Sequence, residues 1–370
     1  MVMRFRFAVL SDPHITLDST LVDYPGRAHF YEISRQALQA VLADLRTAEI
    51  DFLLIPGDLT QNSERVNHAW LRAELAALPF QALVIPGNHD ARSPTGNSEV
   101  LGLEDFAHFW QNFGYSGSTK LYYNYEVLDG VRVLGLNSNQ IQGAHVVGAI
   151  DAEQLAWLKI QLASYPQVVW LVMVHHNVLE HLPGQAHNPM TAEYIIQSSE
   201  LVDTLRSHGA QVVLTGHLHI QDIARQDNLY DITTGSLVSY PHPYRLIDWQ
   251  TGKLTVQSRQ VSTLPGWPDL LEVSLERMVR GSERYMARLL TLPPLNLPEA
   301  EARHLAPQLR YFWSTIAAGD ARFDLRELPA PVRRFFERFN DAPPADNDAV
   351  LPLSGHPELA PSGAGVHHKD

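Results

Sequence analysis

The sequence predicts an α/β sandwich carrying a C-terminal helical extension. Two observations set the fold class: short, nearly continuous runs of Val, Leu and Ile recur from residue 4 to about residue 260, and segments of helical periodicity separate them. A third sets the extension, because beyond Pro265 the strand signals stop and amphipathic helices follow.

In chain order, RFRFAVLSD, DFLLIPGD, QALVIPGNHD, VRVLGLNSN, VVWLVMVHHN and QVVLTGHLH read as strands, and their unbroken apolar character fits sheets covered on both faces. Helix-like segments fall near 30–48, 64–78, 101–113, 151–164 and 191–208; the fourth opens at Asp151 with Gln154 three residues on, a capping-box pattern. Residues 220–260 turn to short strands with turn signals, including Gln250-Thr251-Gly252-Lys253, and predict a β-hairpin layer. Segments 268–292 and 299–318 read as amphipathic helices split by an LPPLNLP linker, with a short helix at 331–339. Their apolar positions Leu271, Leu275, Met278, Met286 and Leu289 form a face that must pack on the sandwich or on a second subunit, so a homo-oligomer is one of the arrangements expected. Residues 341–370, rich in Pro and acid, are expected to be a disordered tail. The expected division is therefore 1–262, 263–340 and 341–370.

Composition narrows the function. The 370 residues are 45% apolar, enough for a large core, and Asp plus Glu (41) exceed Lys plus Arg (28), for a formal net charge of -13. Such acidity argues against nucleic-acid or anionic-membrane partners. No apolar run approaches a membrane span and the N-terminal segment meets acid too soon for a signal peptide, so a cytoplasmic location is expected. With no cysteine, thiolate chemistry and Cys-based zinc sites are excluded, and any metal must be held by nitrogen and oxygen. The 18 His residues then become the point of interest.

Several of them recur at one place in the strand-loop-helix unit. Strand ends finish in Asp12 and His14, in Asp58, in Asn88 with His89, in His175 with His176, and in His217 with His219. Open α/β sheets bind ligands beyond the carboxyl ends of their strands, so these residues are expected to converge. In the Asp-x-His and His-x-His pairs, alternate residues of an extended chain leave on the same side. Gly57, Gly87 and Gly216, each just before such a residue, suit a tight turn and leave room for a substrate. Core packing explains the set poorly, since each buried unpaired polar group costs about 1–3 kcal/mol.

Read in order, D-x-H, G-D, G-N-H-D, H and G-H-x-H, residues 4–260 resemble the calcineurin-like metallophosphoesterases, with closest similarity in motif to the class III cyclic-nucleotide phosphodiesterases. The resemblance implies a four-layer αββα sandwich and a binuclear centre of two divalent ions, Mn, Fe or Zn among them. One would sit on Asp12, His14, Asp58 and His219, the other on Asp58, Asn88, His175 and His217, with Asp58 bridging and His89 facing the scissile phosphate. The implied activity is hydrolysis of a small phosphodiester, a cyclic nucleotide such as 3′,5′-cyclic AMP being the best single substrate, by attack of a metal-bound hydroxide. A phosphomonoesterase of the same family, and a scaffold of the same fold without catalysis, are the alternatives.

Two departures from the family pattern bear on this. The phosphatase branch has a carboxylate where this chain has Gln61, which can accept a hydrogen bond from His89 without a carboxylate's charge. Where His-His-Pro is common, the chain reads His175-His176-Asn177; His175 is taken as the ligand, and His176 either supports the ligands from behind or faces the substrate. His242 and Arg245 are candidate substrate contacts on the cleft rim. His29, His68, His108 and His208 are read as residues of helical stretches and His145, His181 and His187 as residues of loops, none expected to act directly, and the loop from His181 to Met190 is the best candidate among them for shaping the substrate site.

Overall fold

Two six-stranded mixed sheets lie face to face with helices on their outer sides, an αββα arrangement of four layers. The computed structural model describes residues 3–22, 29–143, 145–188 and 191–354. The chain begins in the first sheet with β1 (Arg4–Val9), α1 (Ser34–Leu45), β2 (Phe52–Ile55), α2 (Arg65–Ala76), β3 (Gln81–Val84) and α3 (Leu103–Phe109). It crosses to the second with β4 (Tyr123–Leu128) and β5 (Val131–Gly135), adds a small ribbon of β6 (Asn139–Gln142) and β7 (His145–Gly148), and continues through α4 (Ala152–Ser164), β8 (Val169–Met173), α5 (Ser199–Ser207), β9 (Val212–Thr215), β10 (Asp222–Gln226) and β11 (Leu229–Thr233). The hairpin of β12 (Pro243–Gln250) and β13 (Lys253–Gln260) returns to the first sheet, turning at Gln250↔Lys253.

The strand orders are β14-β13-β12-β1-β2-β3 and β10-β11-β9-β8-β5-β4, where β14 is Asp348–Pro352. Parallel pairing of β1, β2 and β3, and of β5, β8 and β9, puts their carboxyl ends at one edge of the sandwich. Alternation along β8 divides its side chains between the layers. Leu171 and Met173 enter the core between the sheets with Phe7, Phe52 and Leu246, while Trp170 and Val172 pack outward on Leu158 of α4 and Leu205 of α5. Burial on both faces is why these strands read as unbroken apolar runs. Asp151 caps α4 by accepting from Gln154 N at 2.7 Å. The Gln154 amide does not reach back to the cap; it clamps Asn137 N and O, so the capping box is only half formed.

The extension comprises α6 (Leu270–Thr291), α7 (Glu299–Leu305), α8 (Phe312–Ala318) and α9 (Ala330–Phe336). Leu270 is buried in the core of the sandwich, whereas Met286, Leu289 and Leu290 join Phe312, Val332 and Phe336 in a separate cluster that also takes in Leu182 and Ile220. The apolar face of α6 is thus divided between the sandwich and the extension. One expectation is corrected: residues 348–352, placed in a disordered tail, form β14 on the edge of the first sheet. Leu351, completely buried beside β13, supplies the apolar anchor that the acid-rich composition concealed. Residues 355–370 lie outside the described residues.

Candidate metal centre

At the carboxyl edge of the two sheets, Asp12, His14, Asp58 and His219 place one donor atom each within 4.8 Å of one another, and Asp58, His175 and His217 do the same. Asp58 belongs to both groups through different oxygens. Its Oδ1 lies 3.4 Å from His175 Nε2 and its Oδ2 3.6 Å from His14 Nε2. Asn88 Oδ1 approaches His175 Nε2 at 3.0 Å, so Asn88 faces the second group. The residues expected at this edge are therefore assembled, but the reason given for their alignment is not the operative one. β1 ends at Val9, and Asp12, His14, Asp58, His217 and His219 all sit in the left-handed region, with φ of 50°, 42°, 49°, 65° and 57°. Turned backbone, rather than strand alternation, aims these side chains, a conformation that persists only where the surroundings impose it.

Hydrogen bonds supply the constraint. Asp90, fully buried, accepts from Leu59 N (2.9 Å), Thr60 N (2.8 Å) and Gly87 N (2.8 Å), tying the loop after β2 to the loop after β3. Ser236 donates to Asp12 O at 2.8 Å, and Ser11 donates to the Asp12 carboxylate. The glycines serve these approaches. A Cβ on Gly87 would collide with Asp58 N and Oδ1, one on Gly216 with Ser11 and Asp12, and one on Gly57 with the His175 ring. They make room for neighbouring loops of the centre, not for substrate as expected.

Protonation fits a cation. Burial disfavours the charged form of His14 and of His217 and pushes both well below the usual imidazole range, leaving neutral rings with a free lone pair. Burial works against the Asp58 carboxylate, yet the imidazoles of His175, His89 and His14 outweigh it and hold this group well below its ordinary value. His175 donates Nδ1–H to Pro56 O at 2.8 Å, which turns Nε2 inward. Burial lowers its affinity for a second proton, but Asp58 more than offsets this and the value rises to about 9, so a cation at this position would have to displace that proton. His14 Nε2 and His219 Nε2 face each other at 3.3 Å, with Asp12 Oδ1 3.3 Å from the latter. Converging lone pairs and carboxylates of this kind, all nitrogen and oxygen, fit divalent metal ions.

The centre opens into a cleft of about 580 Å³ lined by His29, Asn88, His89, Arg92, Ile141, Val146, Glu193, Tyr194, His217 and His219. His89 Nδ1 lies 2.7 Å from Gln61 O and 2.9 Å from an Arg92 Nη. The acceptor from His89 is thus the backbone carbonyl of Gln61, not its side chain, whose Oε1 has no hydrogen-bond partner among the described residues. Two further expectations are corrected, and for His176 one of two alternatives is decided. Arg245 is fully buried in β12 and spends its donors on Thr234 Oγ1, Thr233 O, Ser258 Oγ and Asp346 O. His242 is fully buried, held by Leu237 O at 3.0 Å, and neither residue lines the cleft. His176 is buried as well, beneath His217 at 4.4 Å between ring centres and bonded to Ser138 Oγ at 2.8 Å, so it supports the centre from behind.

Other residues were overlooked. His29, read as helical, precedes α1 and packs edge-on to His219 at 4.8 Å. Arg92 and Tyr194, whose ring meets His217 at 4.7 Å, carried no sequence signal. Asp90 did, as the last residue of Gly87-Asn88-His89-Asp90. His181 is a structural group: it bonds Asp222 Oδ2 at 2.5 Å, lies 3.3 Å from Asp231 Oδ2, and those carboxylates overcome burial to raise it to about 10.

Comparison with known proteins agrees with this geometry. A family model described as calcineurin-like phosphoesterase matches residues 5–221. The chain belongs to this family. A probable cyclic nucleotide phosphodiesterase of Synechococcus sp. is 25% identical over 218 residues, 59% of this chain and 74% of its own length. The 3′,5′-cyclic adenosine monophosphate phosphodiesterase CpdA of Escherichia coli K12 is 24% identical over 188 residues, 50% of this chain and 60% of that one. A probable glycerophosphodiester phosphodiesterase of Arcobacter nitrofigilis is 28% identical over 176 residues, 46% of this chain and 56% of that one. Among solved structures, a dimetal phosphatase from Danio rerio superposes with a TM-score of 0.53 at 16% identity, covering 69% of this chain and 96% of that one, a likeness in fold. No helix among the described residues is long and apolar enough to cross a membrane.

Proposed function

We propose that this calcineurin-like phosphoesterase is a binuclear metal-dependent phosphodiesterase acting on a small diester, with a 3′,5′-cyclic nucleotide as the preferred substrate class. The observation that carries the reading is Asp58, whose two oxygens face separate histidine groups 3.4 Å and 3.6 Å away. One ion would be held by Asp12, His14, Asp58 and His219, and the other by Asp58, Asn88, His175 and His217. When bound, two divalent ions activate water and neutralise charge on the phosphoryl group. Asp58 supplies the shared negative charge, and Asp90 keeps its loop in the left-handed turn that presents both oxygens. With Nδ1–H given to Gln61 O, His89 keeps Nε2 for the cleft, where it can meet the leaving oxygen. Arg92, beside it, offers a fixed positive charge to an anionic ester.

Three relatives named as diesterases support diester over monoester cleavage, as does a neutral Gln61 near His89. The test is initial rates of metal-stripped protein with Mn(II) restored, on bis(p-nitrophenyl) phosphate, p-nitrophenyl phosphate, glycerophosphodiester and 3′,5′- and 2′,3′-cyclic AMP. Turnover of diesters alone, abolished by Asn88→Ala, supports the reading. Faster monoester hydrolysis overturns it in favour of a phosphomonoesterase; two bound metals without turnover would indicate a scaffold.

A further inference from the structure

A second hollow, of about 900 Å³, opens between α6 and α7 of the extension. Four guanidinium groups line it, from Arg280, Arg284 and Arg288 on α6 and Arg303 on α7, against only Glu283 and Glu299 as acids. In a chain of net charge -13 this is a local reversal of sign. Helix formation does not account for it, because Arg280, Arg284 and Arg288 follow one another at four-residue intervals, where like charges repel. Arg303 pairs with Glu299 and Arg280 with Glu276, each within its own helix. Among the described residues no hydrogen bond or ion pair engages the guanidinium of Arg284 or of Arg288, so two exposed guanidinium forks stand side by side with all donors available.

We propose that this groove is a second binding site, taking a compact ligand that carries a polyphosphate chain. Guanidinium forks match phosphate oxygens bidentately, and the volume is that of a site for a nucleotide-sized ligand. Tyr285, one residue after Arg284, packs edge-on against Trp313 at 5.4 Å and lies near enough to Arg288 and to Tyr194 of the cleft wall for both to act on its phenol.

The experiment is calorimetric titration of the full chain, freed of metal so that no ester is turned over, with inorganic tripolyphosphate and separately with ATP. Single-site binding is expected, weakened by raising salt and weakened about tenfold or more by Arg284→Ser with Arg288→Ser. Both residues are exposed and outside the candidate centre, so an unchanged urea-unfolding midpoint of the double variant serves as the folding control. Equal affinity for the two probes assigns recognition to the phosphate chain alone, and tighter ATP binding to a nucleotide. Binding retained in the double variant, or no heat with either anion at about 5 mM, overturns the proposal. None of these outcomes depends on which phosphoester the cleft hydrolyses.

Discussion

Replacing His181 with Leu removes a buried cation from between two carboxylates. Asp231, completely buried, also accepts from Val178 N (2.6 Å), Leu179 N (2.9 Å) and Thr215 Oγ1 (2.7 Å), so the ion pair anchors the segment that follows the candidate ligand His175. Breaking a buried pair by deleting one partner costs about 3–5 kcal/mol, and a loss of that size is expected in urea unfolding at pH 6.5. The pH dependence separates this from lost packing. His181 titrates near 6.5 in the unfolded chain and near 10 in the folded one, a raised value, so its stabilisation is complete below pH 6.5 and is lost as pH rises towards 10. Across that window the folded protein holds one more proton than the unfolded, and wild-type stability should fall by about 1.4 kcal/mol per pH unit from this group. His181→Leu lacks that slope, so the gap between the two proteins should narrow steadily between pH 6.5 and 10. Parallel stability curves over the same range would refute a charged His181.

Three further outcomes follow from the geometry. Gly87→Ala should abolish metal uptake, read by elemental analysis, and lower the urea midpoint as well, because its Cβ would collide with the backbone nitrogen of buried Asp58, a contact that no side-chain rotation relieves. Ending the chain at residue 345 strips β14 and the Asp346 carbonyl that Arg245 uses. With Leu351 and Leu353 lost from burial at about 1.5–3 kcal/mol each, the urea midpoint should drop sharply. Arg245→Met should lower stability by at least about 2 kcal/mol by stranding Thr233 O and Asp346 O, yet leave KM unchanged, since Arg245 does not touch the cleft; a raised KM would restore it to the substrate rim.

The sandwich was legible because buried parallel strands need continuous apolar runs, which β2, β8 and β9 display, and because each run stops at a polar residue that core packing does not explain. Position within the centre was legible for the same reason: Asp12, Asp58 and His217 follow strands whose parallel order fixes where they emerge. Backbone handedness was not, since a left-handed turn at Asp58 is imposed by Asp90 from another loop. Arg245 misled because a polar residue in a strand gives no sign of which side it faces, and His242 because it lies in a left-handed turn just before β12 that its neighbours do not announce. β14 was masked by its acidic and Pro-rich neighbours, and its pairing with β13 is a tertiary fact.

Leu218 sits between two candidate ligands, His217 and His219, and packs against the cluster formed by the extension. Gln221 N, just beyond, donates to Ala317 O at 3.2 Å. The metal-bearing loop is therefore keyed into the helices like a tongue in a joint. Transplanting the sandwich without the helices, or exchanging them for those of another protein, would alter the wall on which two histidines lean, so the two parts must be engineered as one piece.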